Sequence, residues 1–344
     1  MASSGANNRI VSLIELRADG LYCAAGDFYI DPWGAVARAV VTHAHSDHAR
    51  AGSGAYLTAR AGEAVLRARL GPEAAIESVA YGEAVEMGGV RVSLHPAGHI
   101  LGSAQVRLEH AGEVWVVSGD YKVVPDRTCA PFEPLRCHTF LTESTFGLPI
   151  FRWPAEDDVV AAIHAWWRGN QEAGRTSLLF VHPLGKAQRV LALLDPALGP
   201  IYTHGAVERL NQVYRGQGIG LALTTHAASS GDWRRALILA PPSSHGSPWE
   251  RHFGPASTAF VSGWMRIRGT RRRRSLDRGF VLSDHADWSG LLRVIEETRA
   301  ESIWVTHGHR AALARWLQER GRNALVVDAP FEGEREEPGE EGEP

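Results

Sequence analysis

Short runs of β-branched and aromatic residues alternate along the chain with stretches whose apolar positions recur at helical spacing, and Gly or Pro marks most of the changes. This pattern predicts alternating strands and helices in an α/β or α+β layering. Many strand-like runs close on a polar or titratable residue: FYID at Asp31, AVVTHAH at His43, VWVVSGD at Asp120, TFLTE at Glu143, GFVLSDH at His285 and SIWVTH at His307. Strands lying side by side would bring these ends to one rim, where open α/β sheets hold their ligands. From about residue 145 to 278 the strand-then-helix pattern repeats independently. TSLLFVHPLGKAQRVLALL is an apolar and hydroxyl run, a Pro-Gly break, then apolar positions at helical spacing, and PIYTHGAVERLNQVYR, RALILAPP and STAFVSG continue it. Because titratable strand ends resume afterwards, this segment reads as a second α/β layer inserted into the first. No repeat at solenoid periods is present.

Composition narrows the picture in three ways. A length of 344 residues with 44% apolar content suits about two globular domains. No apolar run approaches the roughly 18 residues of a membrane span, and MASSGANNRI lacks the basic start and apolar middle of a signal peptide, so a cytoplasmic location without membrane contact is expected. The three cysteines, Cys23, Cys129 and Cys137, are odd in number and lack CxxC spacing, which predicts buried small side chains rather than disulfides or a thiolate metal site. Charge is unevenly spread. The net −3 conceals a tail, residues 332–344, with seven Glu against one Arg, which leaves the body at +3. Lacking apolar residues to bury, that tail is expected to be disordered. The opposite bias occupies residues 264–278, with seven Arg and one Asp.

The candidate chemistry centres on VVTHAHSDHAR, residues 40–50, where His43, His45, Asp47 and His48 fall within six positions after a buried-strand run. Imidazoles are common metal ligands, and carboxylates coordinate and bridge. A straight strand alternates its side chains, so these four converge only if the strand stops at the first histidine and the chain curls, which Gly52 and Gly54 allow. A pair of ions needs more ligands, and His99, Asp120 and His307 at other strand ends or turns are the candidates. The remaining histidines, among them His95, His110, His164, His182 and His309, read as packing or surface residues.

HxHxDH at 43–48, AGHILGS with His99, SGDYK with Asp120 and a late THG resemble the metallo-β-lactamase fold. TEST with Glu143 and SDHAD with His285, flanking the inserted segment, resemble its β-CASP nucleic-acid-processing branch. YIDPWGAVARAVVTHAHSDHAR, PLGKAQRV, SGWM and GFVLSDHADW are similar to the bacterial ligase-associated DNA exonucleases, relatives of the messenger-RNA 3′-end processing nucleases. The resemblance covers about residues 10–330. It implies an α/β fold: an αβ/βα four-layer sandwich, with residues 1–145 as its first part, 146–278 as a β-CASP-like insertion, 279–331 as its closing part and 332–344 outside. It further implies two divalent ions, zinc before manganese. His43, His45 and His99 would bind one, Asp47, His48 and His307 the other, and Asp120 would bridge, with Asp31 holding a ligand rather than being one. His182 and Pro183 depart from the expected apolar or aromatic loop.

The expected activity is metal-dependent hydrolysis of phosphodiesters, as a DNA exonuclease in end processing or repair that leaves a 5′-phosphate. Paired cations neutralise phosphoryl charge and activate water. Asp47 would help orient that water, His285 would protonate the leaving oxygen, and Glu143 would hold the His285 tautomer. Lys186 at a helix start is a candidate phosphate contact. Ser262 and Gly263 are candidates for close backbone approach, and Arg266, Arg268, Arg271, Arg272, Arg273 and Arg274 for an electrostatic track. Trp264 and Trp288 are assigned to the core ahead of base stacking. The partners expected are nucleic acid, DNA before RNA, and a ligase or helicase of the same pathway. The alternatives are an RNA-processing nuclease, or a non-nuclease hydrolase, which should lack Glu143, His285 and the insertion. A binding module with a structural metal is disfavoured because no ligand position is missing. The preference for DNA comes from the resemblance alone.

Overall fold

The computed structural model describes residues 12–227, 232–267 and 276–328. Six short strands follow one another in chain order in the first sheet: β1 (Glu15–Arg17), β2 (Gly20–Cys23), β3 (Phe28–Ile30), β4 (Arg38–Val40), β5 (Ala55–Ala59) and β6 (Ile76–Val79). It is antiparallel from β1 to β3 and parallel from β3 to β6. A second sheet begins with the antiparallel run β7 (Ala84–Met87), β8 (Val90–Pro96), β9 (Ala104–His110) and β10 (Glu113–Val117), and adds β11 (Thr139–Thr142) in parallel.

The chain then leaves to build a third sheet from β12 (Thr176–Val181), β13 (Ile201–Thr203), β14 (Thr225–His226), β15 (Leu237–Ala240), β16 (Ala256–Val261) and β17 (Arg278–Phe280). Its order is β14-β13-β15-β12-β16-β17 and every pairing is parallel. It returns to the second sheet with β18 (Ser302–Val305) and β19 (Asn323–Val326), giving the order β19-β18-β11-β10-β9-β8-β7. The molecule is therefore an α/β sandwich interrupted by an inserted α/β unit.

Side-chain alternation decides what each sheet buries. In the first sheet Ile30, Val40 and Leu57 face Val92, Val106 and Leu141 of the second, while Ala39, Val41 and Tyr56 turn the other way onto Val65 and Leu66 of the helix Glu63–Leu70. The far face of the second sheet, with Val116, Phe140 and Ile303, is covered by the helices Trp288–Thr298 and Arg310–Gln318 through Leu291, Val294, Leu313 and Leu317. The helix Trp288–Thr298 buries positions 288, 291, 294, 295 and 298, the spacing of one helical face, and Asp287 caps its start by accepting from Gly290 N at 2.8 Å. Cys23 and Cys137 are buried, Cys129 is half-buried, and all three are free thiols.

The inserted sheet is covered on both faces, which is why β12 and β15 read as unbroken apolar or hydroxyl runs. Leu179 and Val181 pack on one side with Val159, Ile163 and Val190 from the helices Glu156–Glu172 and Lys186–Leu193; Leu178 and Phe180 pack on the other with Trp233, Phe253 and Met265. Leu179 is fully buried in the middle strand. Leu179→Ala is expected to lower the unfolding free energy by about 2–5 kcal/mol, measured by urea denaturation, because the closely packed parallel sheet cannot collapse into the space. The insertion also touches the first sheet's helical cover: Leu210 and Tyr214 of the helix Gly205–Gly216 join the Val65 and Leu66 cluster, and the Tyr214 hydroxyl accepts from Leu101 N at 3.2 Å.

Candidate metal centre

The candidate residues sit just past the C-terminal ends of strands from all three sheets. Asp31 follows β3, His43 lies three residues beyond β4, His99 three beyond β8, Asp120 three beyond β10, Glu143 directly after β11, His285 five beyond β17 and His307 two beyond β18. The loops need unusual backbone to do this. Asp31 and His307 hold left-handed φ of 44° and 52°. Gly119, at φ +56°, lets the Asp120 loop close on the first sheet; a Cβ there would lie 2.7 Å from the Thr42 side chain.

The structure brings six of the seven expected ligands together in two sets that share Asp120. Ligand atoms of His43, His45, His99 and Asp120 lie within 4.8 Å of one another, and so do those of His48, Asp120 and His307. Asp47 stands beside the second set, its Oδ2 3.6 Å from His48 Nε2. Asp120 Oδ2 is 3.7 Å from His43 Nε2, 3.4 Å from His48 Nε2 and 3.9 Å from His99 Nε2. A cavity lined by Trp33, Asp47, His48, Gly119 and His307 borders the second set.

Outer hydrogen bonds fix which nitrogen each ring offers. His48 Nδ1 donates to Asp31 Oδ2 at 2.7 Å, and Asp31 is itself held by Thr42 N at 2.8 Å and Thr42 Oγ1 at 2.6 Å. With its proton spent on Asp31, Thr42 Oγ1 accepts from His43 Nδ1 at 3.1 Å. His99 Nδ1 donates to the Asp284 carbonyl at 2.8 Å, and His45 Nε2 to the Leu184 carbonyl at 3.2 Å. The His43, His45 and His99 rings thus each aim a lone pair inward, and His48 turns its Nε2 the same way, the arrangement by which carbonyls and carboxylates orient metal-ligating histidines.

Those inward nitrogens test whether the residues fit a cation. His45 Nδ1 is 3.1 Å from both His43 Nε2 and His99 Nε2. Nitrogens bound tetrahedrally at about 2.0–2.1 Å stand about 3.3 Å apart, so three lone pairs at this spacing suit a zinc-sized ion. His48 Nε2 and Asp120 Oδ1 are buried without a hydrogen-bond partner among the described residues, an arrangement costly unless a cation satisfies it. Burial pushes the His43, His45 and His99 imidazoles below their ordinary range, keeping the lone pairs available. For His48 burial works in the same direction, but Asp120, Asp47 and Asp31 outweigh it and raise the group. Two closely spaced His/Asp sets joined by one carboxylate form a candidate di-metal site.

Glu143 and His285 occupy the floor beside it. His285 Nδ1 lies 2.9 and 3.1 Å from the two Glu143 oxygens, and Glu143 Oε1 also accepts from Tyr121 N at 2.7 Å. His285 Nε2 faces inward, without a hydrogen-bond partner among the described residues, and atoms of Asp120, Glu143 and His285 fall within 4.8 Å of one another. Burial alone would lower this imidazole; Glu143, Asp120 and Asp284 outweigh it and raise it to about 10. Trp153 Nε1 donates to the His285 carbonyl at 2.9 Å, and the Phe146 ring lies 5.8 Å away, centroid to centroid.

The expected nucleic-acid contacts are differently disposed. Lys186 is buried, with Nζ 3.1 Å from Asp284 Oδ1. Ser262 is buried and accepts from Trp264 N at 3.2 Å. Gly263 is packed so tightly that a Cβ would meet the Phe146 ring at 2.5 Å. Arg266 is exposed, its Nε 3.3 Å from the Ile150 carbonyl. Arg268 and Arg271 to Arg274 lie outside the described residues, as does the acidic tail. Trp288 is buried and Trp264 half-buried against Phe146 and Phe151. His182 packs edge-on to the His45 ring at 4.9 Å and shares the Leu184 carbonyl with it. Two neighbours of the site escaped the sequence reading. Thr42 links Asp31 to His43, and Asp284 groups with His99 and His285; the only signal was their adjacency to His43 and His285.

Residues 279–327, which carry His285 and His307, match the family profile of the Zn-dependent metallo-hydrolase RNA specificity domain. A probable DNA ligase of Opitutus terrae is 31% identical over 311 residues, 90% of this chain and 30% of the ligase. The endoribonuclease YSH1 of Saccharomyces cerevisiae is 34% identical over 124 residues, 35% of this chain and 15% of that protein. The cleavage and polyadenylation specificity factor subunit 3 of Dictyostelium discoideum is 32% identical over 124 residues, with 35% and 16% covered. The chain is thus similar to a probable DNA ligase over most of its own length and to endoribonucleases over about a third of it. It spans less than a third of the length of these curated relatives. A crystal structure of a protein of unknown function from Enterococcus faecalis shares the fold, with a TM-score of 0.56 at 12% identity over 86% of this chain and 80% of that one. Among the described residues no helix is long and apolar enough to cross a membrane.

Proposed function

We propose that this chain is a metal-dependent phosphodiesterase acting on nucleic acid. The observation that carries the reading is the pair of His/Asp sets joined through Asp120, with a Glu143-held His285 within 4.8 Å of the joint. Two divalent ions bound there, zinc before manganese, would supply Lewis acidity toward a phosphodiester and a water of lowered pKa. His43, His45 and His99 would hold one and Asp47, His48 and His307 the other, with Asp120 between them. Asp31, Thr42 and the Asp284 and Leu184 carbonyls keep the imidazoles turned inward. Asp47, partly exposed beside the cavity, can accept a hydrogen bond from the attacking water. His285, its Nδ1 proton fixed by Glu143, presents Nε2 to donate a proton to the leaving 3′ oxygen, which gives a 5′-phosphate product. Glu143, His285 and the insertion together favour a nuclease over other hydrolases on this scaffold.

Of the two polymers, RNA processing has the broader support, since the matching family profile is described by RNA specificity and a series of relatives are endoribonucleases. DNA end processing, the reading favoured by the sequence motifs, is supported by the ligase that aligns over 90% of this chain. Exonuclease action, a ligase or helicase partner, cytoplasmic location and the division at residues 145, 278 and 331 of a four-layer sandwich are parts of the same proposal. So are contacts from Ser262, Gly263, Arg266 and the arginines beyond it.

The deciding experiment incubates metal-defined protein, with His45→Ala as control, on end-labelled single- and double-stranded DNA and matched RNA. Cleavage of one polymer to 5′-phosphate products is expected, abolished by chelation and by His45→Ala, with substrate binding that weakens steeply as salt rises. Two bound metals without hydrolysis of any phosphodiester would overturn the reading.

A further inference from the structure

Behind the candidate centre lies a second group of buried charges. The helix Lys186–Leu193 carries Lys186 and Arg189 one turn apart, and both side chains are buried. Lys186 Nζ stands 3.1 Å from Asp284 Oδ1, with each side chain at most 2% exposed. Arg189 donates to the Ser283 carbonyl and is held in turn by Glu156 and by Asp126, the latter at 3.1 Å. Two cations of the inserted unit therefore grip Ser283 and Asp284, the residues that lead directly into His285.

That turn has a further task. Ser283 Oγ accepts from His285 N at 3.1 Å, and the Asp284 carbonyl accepts from His99 Nδ1 at 2.8 Å. The start of the helix is pressed against it: Gly185, at φ +84°, would with a Cβ lie 2.2 Å from Ile100 Cγ2 and 3.5 Å from Asp284 Oδ2. Little room remains for the turn to shift unless the ion pair is broken.

We propose that Lys186, with Arg189 beside it, is a positioning residue: its ion pair with Asp284 locks the turn that orients His285 and, through the Asp284 carbonyl, His99. The inference rests on the reading above that both histidines serve the metal centre. The physical cause is the cost of a buried carboxylate that has lost its partner. Asp284 Oδ1 is only 4.0 Å from His285 Nε2, and its carboxylate can group with His99 and His285 as a ligand. Without the Lys186 ammonium, the carboxylate turns toward His285 and the ions, and the turn follows. Lys186 thus also keeps an eighth ligand out of the set. A phosphate contact would demand an exposed ammonium and a free carboxylate would demand none, so the two roles separate experimentally.

The test compares Lys186→Met, the same change combined with Asp284→Asn, and Lys186→Arg in the full chain. Metal affinity is read by competition with a chromophoric chelator, and kcat and KM on an oligonucleotide. Lys186→Met is expected to lose about 10–100-fold in metal affinity and in kcat, the scale for partners that orient ligands, with KM unchanged. Neutralising Asp284 in that background restores both to within a few-fold, and Lys186→Arg retains most of each. Should Lys186→Met not fold, the combined and Arg variants carry the test, and both must fold with metal affinity near wild type. Wild-type affinity and kcat in Lys186→Met, a loss confined to KM, or no recovery on adding Asp284→Asn overturns the proposal. A chain that binds metal but cleaves no nucleic acid sinks the nuclease reading alone, because chelator competition follows the ion pair without a substrate.

Discussion

Asp120→Asn is expected to lower metal affinity by about 100-fold or more and to abolish measurable phosphodiester hydrolysis, while leaving the fold intact. Asn matches the shape of Asp, so the loop beyond β10 keeps its path, and the effect comes from charge. Asp120 is the one carboxylate common to both sets, within 3.4–3.9 Å of His43, His48 and His99. Without it two cations would face each other with Asp47 as the remaining carboxylate among the expected ligands, and changes even to groups that merely orient ligands cost 10–100-fold. Chelator competition, metal analysis of dialysed protein and circular dichroism separate the outcomes. A folded variant that keeps two ions at wild-type affinity would remove the bridging role.

His285→Ala should behave in the opposite way, keeping its metals and losing about 10²–10⁴ in turnover on oligonucleotides. The imidazole is paired to Glu143, and the expected ligand positions are filled without it. Its contribution is protonation of a leaving alkoxide, so the loss depends on the leaving group. On a diester of p-nitrophenol, whose anion leaves without help, the variant should approach wild-type rates; on an alkyl diester it should not. Equal losses on both substrates would point to misplacement of the site rather than to a missing acid.

How much of this was legible in the sequence follows from how far apart the interacting groups lie along the chain. The rim of strand ends was readable because each element announces itself locally: an apolar run, then a titratable residue one to five positions later, as at Asp31, His43, Asp120, Glu143 and His307. The inserted parallel sheet was readable because burial on both faces leaves unbroken runs such as TSLLFV. The Lys186 partner was not. A lysine opening a helix usually reaches into solvent, and nothing near Lys186 indicates that a carboxylate almost a hundred residues later waits beneath it. Likewise nothing near Gly263 in the chain indicates that the ring of Phe146 packs against it. His182, read as ordinary packing, does pack, but against the His45 ring.

The Leu184 carbonyl that steadies His45 belongs to the inserted unit, and so do the cations that grip the turn before His285. An excised or misdocked insertion would leave the remaining ligands loosely aimed, so tight capture of ions reports that both parts of the chain have come together correctly. During synthesis the same dependence makes assembly of the full ligand set a late event, because HxHxDH is translated long before the strand that leads into His307.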